Sequence, residues 1–150
     1  NFPMVSYLIS FAVGDYVKVE DKYKDLPVNY WVYPENQQEA YRSFGKTPDM
    51  LDYFNKVTGI KYPFEKYDQV IITDFMWGGM ENTTATTLSE RTIHDKRAAS
   101  DWSSDGLVLH ELAHHWFGDF VTMKWWNDLW LNESFATFMR IYQETINPPS

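Results

Sequence analysis

The sequence predicts an α+β fold in which a small mixed β-sheet packs on a buried helix, with a second helix beside it. Short apolar or alternating runs, bounded by glycine, proline and charged residues, are typical of strands and recur before residue 90. A largely apolar stretch over residues 105–117 predicts a buried helix, because hydrophobic residues occupy most of its faces. A second helical pattern covers residues 128–145 and stops before Pro148.

Length and composition narrow the class of protein. The 150 residues suffice for one hydrophobic core, and the 18% aromatic content is high. A formal net charge of −8 argues against nucleic acid as a partner. Cysteine is absent, so a metal site would have to use histidine and carboxylate. We see no signal peptide and no run of about eighteen apolar residues that would predict a membrane segment, and the compartment stays undetermined.

The elements of the first half follow from periodicity and turn residues. Thr47 and Pro48 predict a helix start, with Thr47 as N-cap and Pro48 in the first helical position, and Gly59 predicts the end of that helix. The other predicted elements are strands at residues 4–13, 16–20, 28–33 and 69–75, a charged connector at 21–25 and a short helix at 37–44.

Residues 78–82 combine two glycines with a carboxylate. Glycines permit close approach of another backbone, and the threonine-rich residues 83–87 that follow predict an edge strand. Such an edge binds an extended peptide by backbone pairing, and Glu81 would face the peptide's free α-amine and favour its charged form. A bulge or turn without a binding role is the alternative interpretation of the glycines.

His110 and His114 lie four residues apart in the predicted buried helix, so both imidazoles lie on one face. Glu111 is close to them without having to bind the same ion, which is the HExxH arrangement of zinc peptidases. Satisfied core histidines are the alternative. Burial of these polar groups would be unfavourable without compensation, and a zinc ion compensates them.

Glu133 completes the predicted donor set from the second helix. Eighteen residues separate it from His114, and two histidines with one glutamate leave the fourth zinc position to water. His115 points about 100° away from His114 and is expected either to support the metal ligands without binding the ion or to be structural. His94 lies in a charged segment and is expected at the surface.

Three blocks of the sequence carry a family resemblance. They are Gly78-Gly79-Met80-Glu81-Asn82, the ten residues from His110 to Asp119, and the twelve residues from Trp125 to Ala136. Together they resemble the zinc aminopeptidases of the aminopeptidase N and leukotriene hydrolase family, which are gluzincins. Residues 62–68 and 7–15 are similar as well, so the resemblance covers nearly the whole chain.

The resemblance implies a thermolysin-like upper lobe. Residues 1–18 would be the end of an N-terminal β domain, and residues 19–150 the N-terminal lobe of a truncated catalytic domain. It also implies that His110, His114 and Glu133 bind one zinc ion and that Glu111 is the general base. Residues 78–82 would be the exopeptidase motif, with Glu81 anchoring the substrate amine.

The expected function is zinc-dependent removal of N-terminal residues from peptides that have a free amine. Three alternatives stay open: a lipid-epoxide hydrolase of the same family, a thermolysin-like endopeptidase, and a non-catalytic zinc-binding fragment. Free and blocked N-termini on one peptide would separate aminopeptidase from endopeptidase.

The chain is expected to be a piece of a longer protein or a mature, processed form. The family's oxyanion-stabilising tyrosine is expected outside it, because Tyr142 lies about 900° round the helix from Glu133 and faces away from the metal. The missing β and helical domains are expected to cover an aromatic-rich face. Alone, the fragment is expected to bind zinc with little or no turnover.

Overall fold

A five-stranded mixed sheet and four α-helices form the fold in the computed structural model, which describes residues 3–146. The strands are β1 (Val17–Tyr23), β2 (Leu26–Val32), β3 (Tyr67–Ile72), β4 (Gly79–Met80) and β5 (Ala85–Ser89). The helices are α1 (Gln37–Phe44), α2 (Thr47–Thr58), α3 (Asp105–His114) and α4 (Leu129–Ile146). The α+β prediction is confirmed, and α4 lies within one residue of the predicted range 128–145, whereas Pro148, before which that helix was predicted to stop, lies outside the described residues.

The sheet has the strand order β1-β2-β3-β5-β4. Its centre is parallel, since β3 pairs in parallel with both β2 and β5, and the outer strands β1 and β4 are antiparallel to their neighbours. Alternate side chains of β2 are fully buried, as a half-buried strand requires. The free side of β4 is therefore one edge of the sheet.

Residues 4–13 do not form the predicted buried strand. Within them the structure has only a short 3₁₀ turn over Ser6–Leu8, and the side chains of Phe11 and Val13 are 92% and 95% exposed. Leu8 is the exception, because its side chain is buried and its carbonyl accepts a hydrogen bond from the Thr83 N–H. An apolar run indicates a preference for burial but does not identify the surface that buries it.

Residues 83–87 were predicted as an edge strand, and this is wrong. They lead into β5, which lies between β3 and β4, while β4 is the edge strand. The threonine hydroxyls tolerate this position because they are satisfied internally: Thr86 lies 3.0 Å from the Tyr67 hydroxyl, and Thr87 donates to the Asn82 side chain at 2.7 Å.

Several element ends differ from their predictions. β1 continues to Tyr23 through part of the predicted connector, and β3 ends at Ile72 rather than at residue 75. Thr47 is the first residue of α2 rather than its N-cap. Its hydroxyl donates a hydrogen bond to the Phe44 carbonyl. Gly59 ends α2 in the left-handed conformation, with φ of 70°, as predicted.

α3 is buried on most sides, as its composition predicts. Leu109, Leu112 and Ala113 are at most 1% exposed, and the helix lies against the sheet core and α4. It ends at His114 rather than at residue 117, because the following N–H groups bond to carbonyls three residues back in a tighter turn. Among residues 3–146, no helix has the length and apolar character needed to cross a bilayer.

An exposed aromatic surface runs over α4 and the turn before it. Its members are between 45% and 65% exposed: Trp125, Trp126, Trp130, Phe135 and Phe138. The aromatic exposure that the sequence predicts is confirmed. That other domains cover this surface, and that residues 1–18 belong to a separate β domain, stay predictions.

Candidate active site

Three predicted metal donors converge between α3 and α4. The Nε2 atoms of His110 and His114 lie 3.1 Å apart, because four residues bring the two rings one above the other on α3. Glu133, near the start of α4, places Oε2 3.4 Å from His110 Nε2 and 3.6 Å from His114 Nε2. The structure thus brings together donors that are distant in sequence.

This spacing fits a tetrahedral ion. With zinc bonds of about 2.0–2.2 Å, neighbouring ligand atoms at tetrahedral angles are about 3.3–3.6 Å apart. The three measured separations, 3.1, 3.4 and 3.6 Å, fall on or just below this range. His110, His114 and Glu133 could therefore hold a metal ion with little rearrangement.

His114 is oriented by a second contact. Its Nδ1 donates to the Phe117 carbonyl at 3.2 Å, which leaves Nε2 to face His110 and Glu133. Burial alone would lower the pKa of His114. The Glu133, Glu81 and Glu111 carboxylates have the larger combined effect and raise this pKa to about 9. Hydrogen bonds from both histidines hold the pKa of Glu133 well below its usual range.

Glu111 lies beside the donors in a nearly dry position. Its residue is 5% exposed, and burial raises the pKa of its carboxyl to about 8. The carboxyl rests against the α-carbon of Gly79, where an added Cβ would overlap with it. Because Gly79 has no side chain, the Glu111 carboxyl can lie directly against the edge strand β4.

Glu81 lies at the C-terminal end of the edge strand β4. It follows β4 directly, is 6% exposed, and its Oε1 lies 4.0 Å from His114 Nδ1. Glu81, Glu111 and His114 also form a compact group of possible ligands. Along the free edge of β4, Gly79 therefore lies beside Glu111, and the buried Glu81 carboxylate follows Met80.

A cavity of about 1030 Å³ opens at the opposite end of β4. Gly78 and His110 line it where it meets the metal donors, and Trp77 and Leu107 line its neighbouring walls. An extended peptide whose amine faces Glu81 would run antiparallel to β4 and so enter this space with its later residues.

The other two histidines have different surroundings. His115 is fully buried, with Nδ1 2.8 Å from the Tyr62 hydroxyl and Nε2 3.3 Å from Thr86 Oγ1, and burial lowers its pKa to about 3. That it supports the metal ligands or the fold, without binding an ion, stays a prediction. His94 is half-buried rather than at the surface. Its backbone N–H donates a hydrogen bond to Ser43 Oγ at 3.0 Å.

Sequence reasoning assigned no role to a buried polar group beside the site. Tyr7, Thr83, Asp119 and Asn132 each have a buried side-chain atom with no hydrogen-bond partner among residues 3–146. Burial raises the pKa of Asp119 to about 8, to which the Glu81 charge adds. Asp119 directly follows Gly118 in the sequence, so the sequence offered a local signal for this position. The approach of Tyr7 depends on the tertiary fold, and the sequence offered no signal for it.

Comparison with known sequences agrees with this geometry. A sequence profile described as Peptidase family M1 domain matches residues 42–148. The chain is 38% identical over 151 residues to endoplasmic reticulum aminopeptidase 1 of Mus musculus, covering 97% of this chain and 16% of that protein. It is 37% identical to aminopeptidase N of Streptomyces lividans (97% of this chain, 18% of that protein) and 39% identical to glutamyl aminopeptidase of Bos taurus (92% and 15%).

These matches concern a part of each relative, because the chain spans 15–18% of their lengths. Within that part, the match includes both helices that carry the converging donors and the edge strand beside them. The chain therefore belongs to peptidase family M1.

Proposed function

We propose that the protein containing this chain is a zinc-dependent aminopeptidase that removes the first residue from peptides with a free N-terminus. The observation that carries the proposal is the convergence of three possible metal ligands, His110, His114 and Glu133, near the edge strand β4, which leads directly into the buried Glu81. The names of the relatives, aminopeptidase N and glutamyl aminopeptidase, support the same activity. In this proposal the chain is the upper lobe of a thermolysin-like catalytic domain.

His110, His114 and Glu133 would hold one zinc ion, since their donor atoms have the required types and spacing. A zinc ion there would supply an activated water molecule and a polarised carbonyl. The Phe117 carbonyl fixes the His114 ring, so that its Nε2 points at the shared position.

Glu111 would act as the general base. Its carboxyl lies beside the donors and close to the edge strand, within reach of a peptide bond paired to Gly79. A carboxyl whose pKa is raised to about 8 by burial holds a proton more readily than an exposed one. That suits a group that takes a proton from water and passes it to the leaving amine.

Glu81 would select the free amine. A buried carboxylate at the end of β4 stabilises a positive charge placed opposite it, and a blocked N-terminus has none. The length of chain between this carboxylate and the metal position then sets how many residues are removed.

The 150-residue chain alone would bind zinc with little or no turnover. Tyr142, the tyrosine that follows Glu133 on α4, stacks on Phe138 and is 42% exposed on the aromatic surface. It is therefore not available as an oxyanion donor, and loss of such a donor lowers the rate by about 10²–10³.

The test compares one peptide with a free and an acetylated N-terminus in the full-length, zinc-loaded protein. We expect cleavage of the free form only, and Glu81→Ala should weaken the preference. Equal cleavage of both forms would replace the aminopeptidase proposal with an endopeptidase. Stoichiometric zinc without cleavage of either form would support a non-catalytic zinc protein.

A further inference from the structure

An ion pair on α4 lies against α3 beside the candidate metal site. Arg140 donates from Nη1 to Glu144 Oε1 at 3.2 Å. Both side chains lie close to Gly106, because a Cβ added to that glycine would be 3.0 Å from Glu144 Oε1 and 3.5 Å from Arg140 Nη1. Gly106 precedes His110 by four residues on α3, which is about one helical turn, or about 6 Å. The ion pair is therefore about one turn of α3 away from a candidate metal donor.

The course of α4 places Arg140 on the side of the metal donors. Arg140 follows Glu133 by seven residues, and seven residues turn a helix by about 700°, so the two side chains leave α4 on nearly the same face. Glu144 lies one further turn away from Glu133. Along α4, Arg140 is therefore the member of the pair that is closer to the candidate metal position.

The ion pair forms part of the wall of the large cavity. Arg140 and Glu144 line this cavity of about 1030 Å³ together with His110 and Gly78. A peptide whose amine faces Glu81 would enter the cavity with the residues that follow the cleaved bond. An extended chain advances about 3.3 Å per residue, so one turn of α3 corresponds to less than two peptide residues. The side chain of the second residue, the first after the cleaved bond, is therefore the one within reach of the pair.

Arg140 has donors left for a ligand. A guanidinium carries five N–H donors, and Glu144 accepts from Nη1. The Arg140 and Glu144 side chains are 35% and 38% exposed, so the pair is open to the cavity rather than enclosed. Guanidinium groups bind carboxylates through two parallel hydrogen bonds. Arg140 can therefore receive a second carboxylate while it stays paired with Glu144.

The net charge of the cavity wall does not select a substrate. Three lysine or arginine and three carboxylate side chains line the cavity: Lys46, Arg91, Arg140, Asp49, Asp105 and Glu144. Lys46 pairs with Asp105 at 2.6 Å where α2 and α3 begin. Charge selection then depends on which group lies nearest the substrate. Because Arg140 contacts the turn of α3 that leads to His110, its guanidinium is the group we assign to this role.

We propose that Arg140 is a specificity-determining residue that selects glutamate or aspartate in the second position of the substrate. The substrate carboxylate accepts hydrogen bonds from the remaining N–H groups of Arg140, and Glu144 holds the guanidinium from the side away from the metal position. This inference rests on the proposed function, whose substrate class it specifies as peptides with an acidic second residue.

The experiment uses the full-length, zinc-loaded protein and three peptide amides that differ only in the second residue: Leu-Glu-Gly, Leu-Gln-Gly and Leu-Lys-Gly. We expect kcat/KM to be about tenfold higher for glutamate than for glutamine, as for a hydrogen bond to a charged group, and lowest for lysine. Arg140→Gln should bring the glutamate-to-glutamine ratio to about one. An unchanged ratio in Arg140→Gln, or a wild type that prefers lysine, overturns the proposal.

Glu144→Gln should act in the opposite direction. It removes a negative charge that competes with the substrate carboxylate, and it keeps an oxygen that can accept from Arg140 Nη1. We expect the glutamate-to-glutamine ratio to rise about threefold. A purely structural role of the pair would lower the ratio in both variants, so a lower ratio in Glu144→Gln overturns the proposal.

The matched control is Arg42→Gln. Arg42 is an exposed arginine in the last turn of α1, and it does not line the cavity. We expect its glutamate-to-glutamine ratio to equal that of the wild type. An equal loss of preference in Arg42→Gln would mean that any lost positive charge has this effect, which would overturn the assignment to Arg140. Partial unfolding cancels, because each ratio compares two peptides on one protein sample.

Acetylated forms of the same peptides separate failure of this inference from failure of the proposed function. If free and acetylated peptides are cleaved equally and Arg140→Gln abolishes the glutamate preference, only the requirement for a free amine is wrong. If free peptides are preferred and Arg140→Gln leaves the ratio unchanged, only the role of Arg140 is wrong. If the wild type cleaves none of the peptides, both proposals fall together.

Discussion

The two helices that carry the candidate metal donors differ in how they are held. α3 is buried on most sides, and the His114 side chain is 1% exposed. α4 buries only one face, and the Glu133 side chain is 52% exposed. His110 and His114 therefore lie on a helix that is packed on most sides, whereas Glu133 lies on a helix that is packed on one side only. If these residues bind an ion, the greater exposure of Glu133 would let the ion enter from that side.

The largest effect expected from this difference concerns Glu111 on α3. In the full-length protein, Glu111→Gln should keep stoichiometric zinc and lower turnover by about 10²–10⁴, because the base is removed and the donors stay. Glu20→Gln on β1, where the exposed Glu20 pairs with Lys18 outside the cavity, is the matched control and should leave turnover within about twofold. Zinc content and kcat measure both. Unchanged turnover in Glu111→Gln would refute its role as base.

A smaller effect concerns stability. Leu112→Ala should lower the free energy of unfolding by about 2–5 kcal/mol, since Leu112 is fully buried on α3 and its removal leaves a cavity. In the 150-residue chain, Trp130→Ala, at a residue of α4 that is 60% exposed, should change this free energy by no more than about 0.5 kcal/mol. Urea unfolding of both variants measures the difference. Equal losses would mean that α4 is held as firmly as α3.

The smallest effect is the pH dependence of zinc binding. In the metal-free site the pKa of His114 is about 9, so below pH 9 its ring carries a proton that zinc must displace. The apparent zinc affinity should therefore fall about tenfold per pH unit from pH 9 to pH 7. Competition with a chromophoric chelator measures this. An affinity that does not change over that range would contradict the electrostatic coupling of His114 to its carboxylate neighbours.

The convergence of His110 and His114 could be predicted from the sequence because it is a local property of one helix. The four-residue spacing of His110 and His114 needs only a helix to bring the rings together, and the apolar character of that helix predicted its burial. Glu133 was predicted because a carboxylate on a second helix would complete the donor set, but no periodicity predicts how closely two helices approach. The resulting distances of 3.4 and 3.6 Å are a tertiary property.

The errors arose where burial depends on a distant partner. Phe11 and Val13 were predicted to be buried because their run is apolar, yet they are exposed. Thr86 and Thr87 were predicted at an edge because they are polar, yet Tyr67 and Asn82 satisfy them inside the sheet.

The order of elements along the chain has a consequence for biosynthesis. All five strands lie between residues 17 and 89, and α3 begins only at Asp105. Because translation proceeds from the N-terminus, every strand of the sheet that buries α3 leaves the ribosome before the two imidazoles do. A nascent chain can therefore present a prepared apolar platform to the histidine helix, and Glu133 is the last of the three donors to emerge.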